Sequence, residues 1–226
     1  MRNPALLIGL SIVFAPALAQ AEFQISVYGG GNTANDSEVT LALPTGTTDF
    51  DVDWFGDSFH NPPYYGVRGT YWLSGFDMGR FGLAIDFAHA KVKADLDDPA
   101  VGAAFSRLEF TDGLNLLTLN GLYRAPLQDW LTLYAGAGAG ASIPHVEVST
   151  IPATADTRHY QVTGPVAQGL AGASINLWRG FSLFGEYKAS YSWNEADLDG
   201  GGKLETDILA HQFALGLSLS FGSTAP

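Results

Sequence analysis

The residues with chemistry to offer are few and widely spaced. The 226-residue chain has five histidines, no cysteine and 15% charged residues. In IPHVEV (143–148), His145 and Glu147 stand two apart, and TRHYQVTGP (157–165) brings His159 across a short connection. Imidazole and carboxylate are donors that hold a divalent transition metal without thiolate. His60 can complete such a set. The spacing runs across segments rather than within a local motif, so polar residues simply gathering at a rim is the competing reading. A second group lies in FSLFGEYKASYSWN (181–194), where Glu186 and Lys188 share one parity and can meet Arg68 and Asp86. A carboxylate beside an amine can move a proton. The same four residues can equally form a paired, buried plug.

Other features are weaker. DFDVDWFGD (49–57) is acidic but lacks the glycine position and terminal Glu of an EF-hand loop. GAGAGAS (136–142) has neither the spacing nor the strand–helix context of a dinucleotide fingerprint; its glycines read as leaving lumen volume opposite Glu186 or Lys188. There is no G-x-S-x-G elbow. A net charge of −12 argues against nucleic-acid binding, which needs Lys and Arg on phosphates. Without cysteine, disulfides, iron–sulfur clusters and thiolate metal sites are excluded.

The elements that must position these residues alternate with period two. In 181–194, Phe181, Leu183, Tyr187, Ala189, Tyr191 and Trp193 oppose Ser182, Glu186, Lys188 and Ser190. Similar segments fall at roughly 22–29, 64–73, 81–93, 113–124, 131–148, 159–178 and 207–221. Long polar connections at 30–63, 94–112, 149–158 and 195–206 alternate with short turns at 74–80, 125–130 and 179–180. Arg2, the apolar run from Ala5 to Ala15 and PALAQAEF, with cleavage after Ala19 or Ala21, read as a secretory signal peptide. The expected domains are therefore a signal peptide (1–21) and a barrel (22–226).

The fold expected is an all-β, eight-stranded antiparallel up-and-down transmembrane β-barrel. A small barrel has no room inside for Phe and Leu from every strand, so the apolar face points into lipid. That places the chain in the outer membrane of a Gram-negative bacterium, with the long loops outside. Glu186, Lys188, Arg68 and Asp86 then face the lumen. Two prolines are read as bulges that switch faces. Beyond Pro144, Val146 and Val148 would face lipid and His145 and Glu147 the lumen. Above Pro165, Tyr160 and Val162 would face lipid and His159 and Gln161 the lumen. His89 and His211 keep outward parity.

SFHNPPYYGVRGTYW (58–72), DGLNLLTLNGLYR (112–124), IPHVEV (143–148), YQVTGP (160–165) and EYKASYS (186–192) resemble the lipid A oxidases of rhizobial outer membranes. The resemblance spans most of the chain beyond the signal peptide. It implies oxidation of the proximal glucosamine of lipid A to 2-aminogluconate by dioxygen, with hydrogen peroxide as coproduct. It also implies a substrate lacking the 1-phosphate. His60, Tyr64, Tyr65, Arg68, His145, Glu147, Tyr160, Gln161, Glu186 and Lys188 lie in the matching motifs. Triplet dioxygen reacts slowly with a closed-shell sugar, and no organic-cofactor motif is present. A divalent transition metal on His145, Glu147, His159 and His60, with Glu186, Lys188, Arg68 and Tyr65 as the catalytic set, is the expectation. The partner is lipid A in the outer leaflet, and the barrel is expected to be a monomer. The rivals are a non-catalytic structural or adhesin-type barrel and a deacylase using a Ser–His pair.

Overall fold

The computed structural model describes residues 22–73 and 79–222; the expected signal peptide lies outside them. Among the described residues thirteen strands form one antiparallel sheet, and eight of them close a ring. These are β1 (Glu22–Ala34), β5 (Tyr65–Trp72), β6 (Phe81–Ala94), β7 (Phe105–Gln128), β8 (Leu131–Ser142), β11 (Gly164–Trp178), β12 (Phe181–Asp197) and β13 (Lys203–Phe221), with β13 pairing back onto β1. Ring closure gives each of these eight strands a neighbour on both sides, as a barrel in lipid requires; the remaining free edges belong to strands outside the ring.

The faces follow the sequence alternation through the lower and middle barrel. Ile25, Leu83, Leu119, Leu133, Leu183 and Leu215 all point outward, with 41–70% of their surface exposed. A belt of large aliphatic side chains around a whole circumference is stable only against lipid. Ser26, Thr118, Gln168 and Ser190 alternate with them and are buried in the lumen. At the lower end, Trp178 pairs with Phe181 across Arg179 and Gly180, whose φ values are 40° and 83°. Two positive φ angles match the tight turn that suits strand twist, and Gly180 supplies one without steric cost. An even number of strands puts Glu22 and Phe221, the outer ends of β1 and β13, at this short-turn end, the periplasmic side in such barrels.

The long connections are more ordered than polarity alone indicates. The 30–63 connection holds the end of β1, the hairpin β2 (Ser37–Leu43) and β3 (Gly46–Val52), and β4 (Trp54–Phe55). The hairpin extends the sheet beside β13, and β4 pairs with β6. The 94–112 connection holds a short helix α1 (Pro99–Ala104), capped by the Asp98 carboxylate accepting from the amides of Ala100 and Val101. The expected strands 131–148 and 159–178 are each divided, giving β9 (His145–Thr150) and β10 (Asp156–Tyr160) as a hairpin that extends β7. Together these pieces carry the wall above the membrane and enclose an apolar core. Val39, Trp54, Phe105, Phe110, Val146 and Ile208 are each at most 3% exposed there.

That core overturns one expected face switch. Between the pairs Leu116↔Ser142 and Glu109↔Glu147, β7 advances seven residues and its partner five. The difference is even, so parity does not change at Pro144. Val146 and Val148 point inward, and His145 and Glu147 lie on the outer wall. The pattern inverts because the surroundings do. Below, lipid takes the apolar face; above, water does not, and the apolar face turns inside.

The second switch is real. Between Ser142↔Gly164 and His145↔Tyr160, one side advances three residues and the other four. This odd step, at residues 161–163 rather than at Pro165 itself, puts Tyr160 on the outer wall and His159 on the face of Val146. With one switch absent and the other present, His145 and His159 fall on opposite faces of one hairpin.

Candidate functional site: an acidic histidine cluster on the outer wall

The residues singled out from sequence separate into three places. The first is the lumen, where the Arg68 guanidinium donates to both Glu186 carboxylate oxygens, with Nη1···Oε2 at 2.7 Å, and Nη2 reaches Asp86 Oδ2 at 3.3 Å. Lys188 Nζ donates to Asp86 Oδ2 at 3.0 Å and to the Tyr28 hydroxyl, which itself donates to Asp86 Oδ1 at 2.7 Å. Arg68, Asp86, Glu186 and Lys188 are 4%, 1%, 6% and 0% exposed, so two cations and two carboxylates neutralise one another out of water. Immediately above, Gln168 bonds Asn120 and Thr118 while Tyr64 donates to Gln212 at 3.0 Å. The apolar core then closes the barrel on the extracellular side. This is a packed polar layer with no open face toward the outer leaflet.

The second place is the loop over the β1–β6 gap. His60 is largely exposed and bonds Asp57, while its carbonyl accepts from the buried Lys91 ammonium at 2.9 Å. Tyr65 begins β5 facing outward, 41% exposed and stacked on His89 at 4.9 Å between ring centres. It belongs to an upper aromatic rim with Phe87, Tyr187 and Phe213, the usual marker of the membrane–water interface. His89 and His211 do keep outward parity. Asn115 Oδ1 lies 2.8 Å from His89 Nδ1, and Tyr187 OH lies 2.6 Å from His211 Nδ1.

The third place is the outer wall one row above that rim, on β7 and β9. His145 Nδ1 lies 3.3 Å from Glu147 Oε1 and 3.9 Å from Asp112 Oδ2. The ligand atoms of Asp112, His145 and Glu147 all fall within 4.8 Å of one another. Arg107 Nη1 donates to Glu147 Oε2 at 2.8 Å and also to Glu109, its neighbour on the same face. The Tyr160 ring packs edge-on to His145 at 4.8 Å, and its hydroxyl donates to the Asp112 carbonyl at 3.0 Å. One imidazole and two carboxylates in this space suit a hard to borderline divalent cation. Arg107 competes for one oxygen of Glu147.

His159 and His60 do not join this cluster. His159 turns to Asp199 at 3.8 Å, and His60 stays with Asp57. Sequence reading missed Asp112, Arg107 and Glu109, which it had assigned to a loop. The signal was present in SRLEF (106–110), where Arg107 and Glu109 alternate with Leu108 and Phe110 as a strand with a dry face and a wet face.

A chain closed into an eight-stranded ring, with an aliphatic belt outside and a polar lumen, is an outer-membrane β-barrel of Gram-negative bacteria. The chain belongs to the family described as outer membrane protein beta-barrel domain, which matches residues 5–221. Among solved structures it is similar to the outer membrane protein OprG from Pseudomonas aeruginosa, at 14% identity and a TM-score of 0.57, over 89% of this chain and 96% of that one. Neisserial surface protein A shares 12% identity over 89% of this chain and 97% of that one, with a TM-score of 0.44. The Ail attachment protein of Yersinia pestis shares 14% identity over 89% and 99%, with a TM-score of 0.39. No curated protein matches the chain. At these identities the OprG likeness speaks to fold alone.

Proposed function

We propose that this barrel is a lipid A oxidase working from its outer wall, with Asp112, His145 and Glu147 at the centre of the site. The observation that carries the reading is position. The cluster faces outward one row above the aromatic rim, where the sugars of an outer-leaflet lipid A would lie if its acyl chains ran along the aliphatic belt. A site inside the lumen would require the sugar to leave the leaflet; a site on the wall does not. The motifs that carry the resemblance to lipid A oxidases supply His145, Glu147 and Tyr160 to this same patch.

In this reading Asp112, His145 and Glu147 hold a divalent transition metal, which would supply the redox coupling to dioxygen. Tyr160 and Tyr65 offer ring faces against which the sugar can rest. The anomeric carbon of a glucosamine without a 1-phosphate gives up two electrons and two protons to dioxygen, forming hydrogen peroxide and a lactone. Water then opens the lactone to 2-aminogluconate. The second oxygen of the Asp112 carboxylate, turned to neither the cation nor Arg107, would accept the hydroxyl proton. Glu186, Lys188 and Arg68 serve here as the strut of the barrel rather than as reacting groups.

A second reading, a non-catalytic structural barrel, is favoured by the self-neutralised, sealed lumen. The separating experiment incubates purified, folded barrel with lipid A lacking the 1-phosphate under air. The lipid product is read by mass spectrometry and peroxide is measured in parallel. A gain of one oxygen with peroxide, lost in His145→Ala/Glu147→Gln at unchanged folding, supports the oxidase. No mass change with the wild type, or full activity in the double variant, overturns it.

A further inference from the structure

The outer wall carries one carboxylate more than the ligand set of Asp112, His145 and Glu147 uses. Glu109 on β7 stands directly opposite Glu147 on β9, and the two are only 7% and 6% exposed. Like charges directly opposite on neighbouring strands destabilise a sheet. One guanidinium holds them together: Arg107 Nη1 donates to Glu109 and, at 2.8 Å, to Glu147 Oε2. We propose that Arg107 is a latch on the cation site. It is shared between Glu147 and Glu109 as seen here, and it passes wholly to Glu109 when a divalent cation binds at Asp112, His145 and Glu147. The latch rests on the cation set of the proposed function and regulates that same site.

Charge is the first reason. The carboxylates of Asp112, Glu147 and Glu109 stand against the one guanidinium of Arg107, which leaves two negative charges when the His145 ring is neutral. A divalent cation closes that balance. Divided by partner, the same groups form two neutral sets: Arg107 with Glu109, and the cation with Asp112 and Glu147. Glu109 is thus the group that lets Arg107 leave Glu147 without being stranded. The other cations on this face are engaged or screened. Lys93 Nζ lies 3.9 Å from Glu109 Oε2 but is 52% exposed. Arg158, opposite Glu147 on β10, turns to Asp156 at 3.2 Å.

Geometry is the second. Arg107 and Glu109 alternate with the buried Leu108 and Phe110, so both side chains lie on the outer face of β7, about 7 Å apart along the strand. The Arg107 side chain is 39% exposed, so it can turn without disturbing the apolar core behind it. Both of its bonds use Nη1. A guanidinium forms a two-bond fork with a single carboxylate, and moving to Glu109 exchanges a shared contact for that fork. It also frees Glu147 Oε2, beside the Oε1 that already lies 3.3 Å from His145 Nδ1. Partners of metal ligands placed in this way shift metal affinity by about 10–100-fold.

The test is titration of Co²⁺ into the folded barrel in detergent micelles, read by visible d–d absorption. The signal of the site is the part lost in Asp112→Asn/His145→Ala. Arg107→Gln should bind Co²⁺ about tenfold more tightly than the wild type, and Glu109→Gln about tenfold more weakly. In Arg107→Gln/Glu109→Gln the affinity should stay within about twofold of Arg107→Gln alone, because Glu109 acts only through Arg107. If each charge instead acted on the cation separately, the two shifts would add. Lys93→Gln, an equal loss of charge on the next strand, should move the affinity by less than about twofold. A second measurement needs no variant: Zn²⁺ added to the wild type should shift the guanidinium NMR signals of Arg107 and leave those of Arg158 in place. Additive shifts, an Arg107→Gln barrel that binds no more tightly than the wild type, or Arg107 signals unmoved by Zn²⁺ would overturn the latch and leave the cation site standing. Co²⁺ absorption unchanged by Asp112→Asn/His145→Ala would overturn the cation site and the latch with it.

Discussion

Removing Glu186 while leaving Arg68 in place should be among the most damaging single changes to this barrel. Glu186→Met leaves Arg68, Lys188 and Asp86 with one uncompensated positive charge, in a layer where each residue is at most 6% exposed. Truncating one partner of a buried pair costs about 3–5 kcal/mol. Arg68→Met leaves the opposite excess and should cost a similar amount. The double variant restores neutrality, because Lys188 still pairs with Asp86 at 3.0 Å, and apolar replacement of a whole buried pair is often nearly neutral. Its cost should stay below about 2 kcal/mol, so the coupling energy across the cycle should exceed about 4 kcal/mol. Urea titration of the barrel in micelles, followed by heat-modifiable mobility on gels, measures all four corners. Additive costs, or singles that each cost under about 1 kcal/mol, would refute the picture of a self-neutralising strut. The double variant should also keep whatever lipid A activity the wild type has. Loss of that activity in a folded double variant would return Arg68 and Glu186 to the catalytic set.

Val146→Asp should cost about 3 kcal/mol or more and impair folding, because Val146 is fully buried in the extracellular core; His145→Asn, one residue away on the wall, should change stability little, and urea midpoints compare them. Gly140→Ala should fold poorly, since a Cβ there would stand 1.9 Å from the Leu117 carbonyl oxygen; a gel-shift assay of refolding yield reads it. A cysteine at Asp97 should react with an impermeant maleimide on intact cells and one at Gln128 should not; the reverse labelling would invert the barrel in the membrane.

The Gly140 contact also revises why this strand is glycine-rich. The glycines of β8 do not chiefly make room for Glu186 or Lys188. A Cβ at Gly138 would meet the Leu119 carbonyl oxygen at 2.2 Å, so close approach of β7 excludes side chains there.

By itself, the sequence determined the barrel and its membrane. Alternation of Phe, Leu and Tyr with Ser, Gly and Glu is a local, period-two signal, and it states directly which face meets lipid in the spanning region. It also placed Glu186, Lys188, Arg68 and Asp86 on one inner surface, because parity along each strand fixes direction. What alternation does not carry is the medium on either side. IPHVEV keeps its strand parity, but its apolar residues turn inside because β9 stands in water, enclosed with β2, β4 and α1 around a second core. Only the tertiary structure decided that, and with it the place of His145 and Glu147 on the wall beside Asp112. Register decided the rest. An even step at Pro144 and an odd step at residues 161–163 separate His145 from His159. Whether a pairing slips by one residue or two depends on hydrogen bonds between distant strands, which no short stretch of sequence encodes.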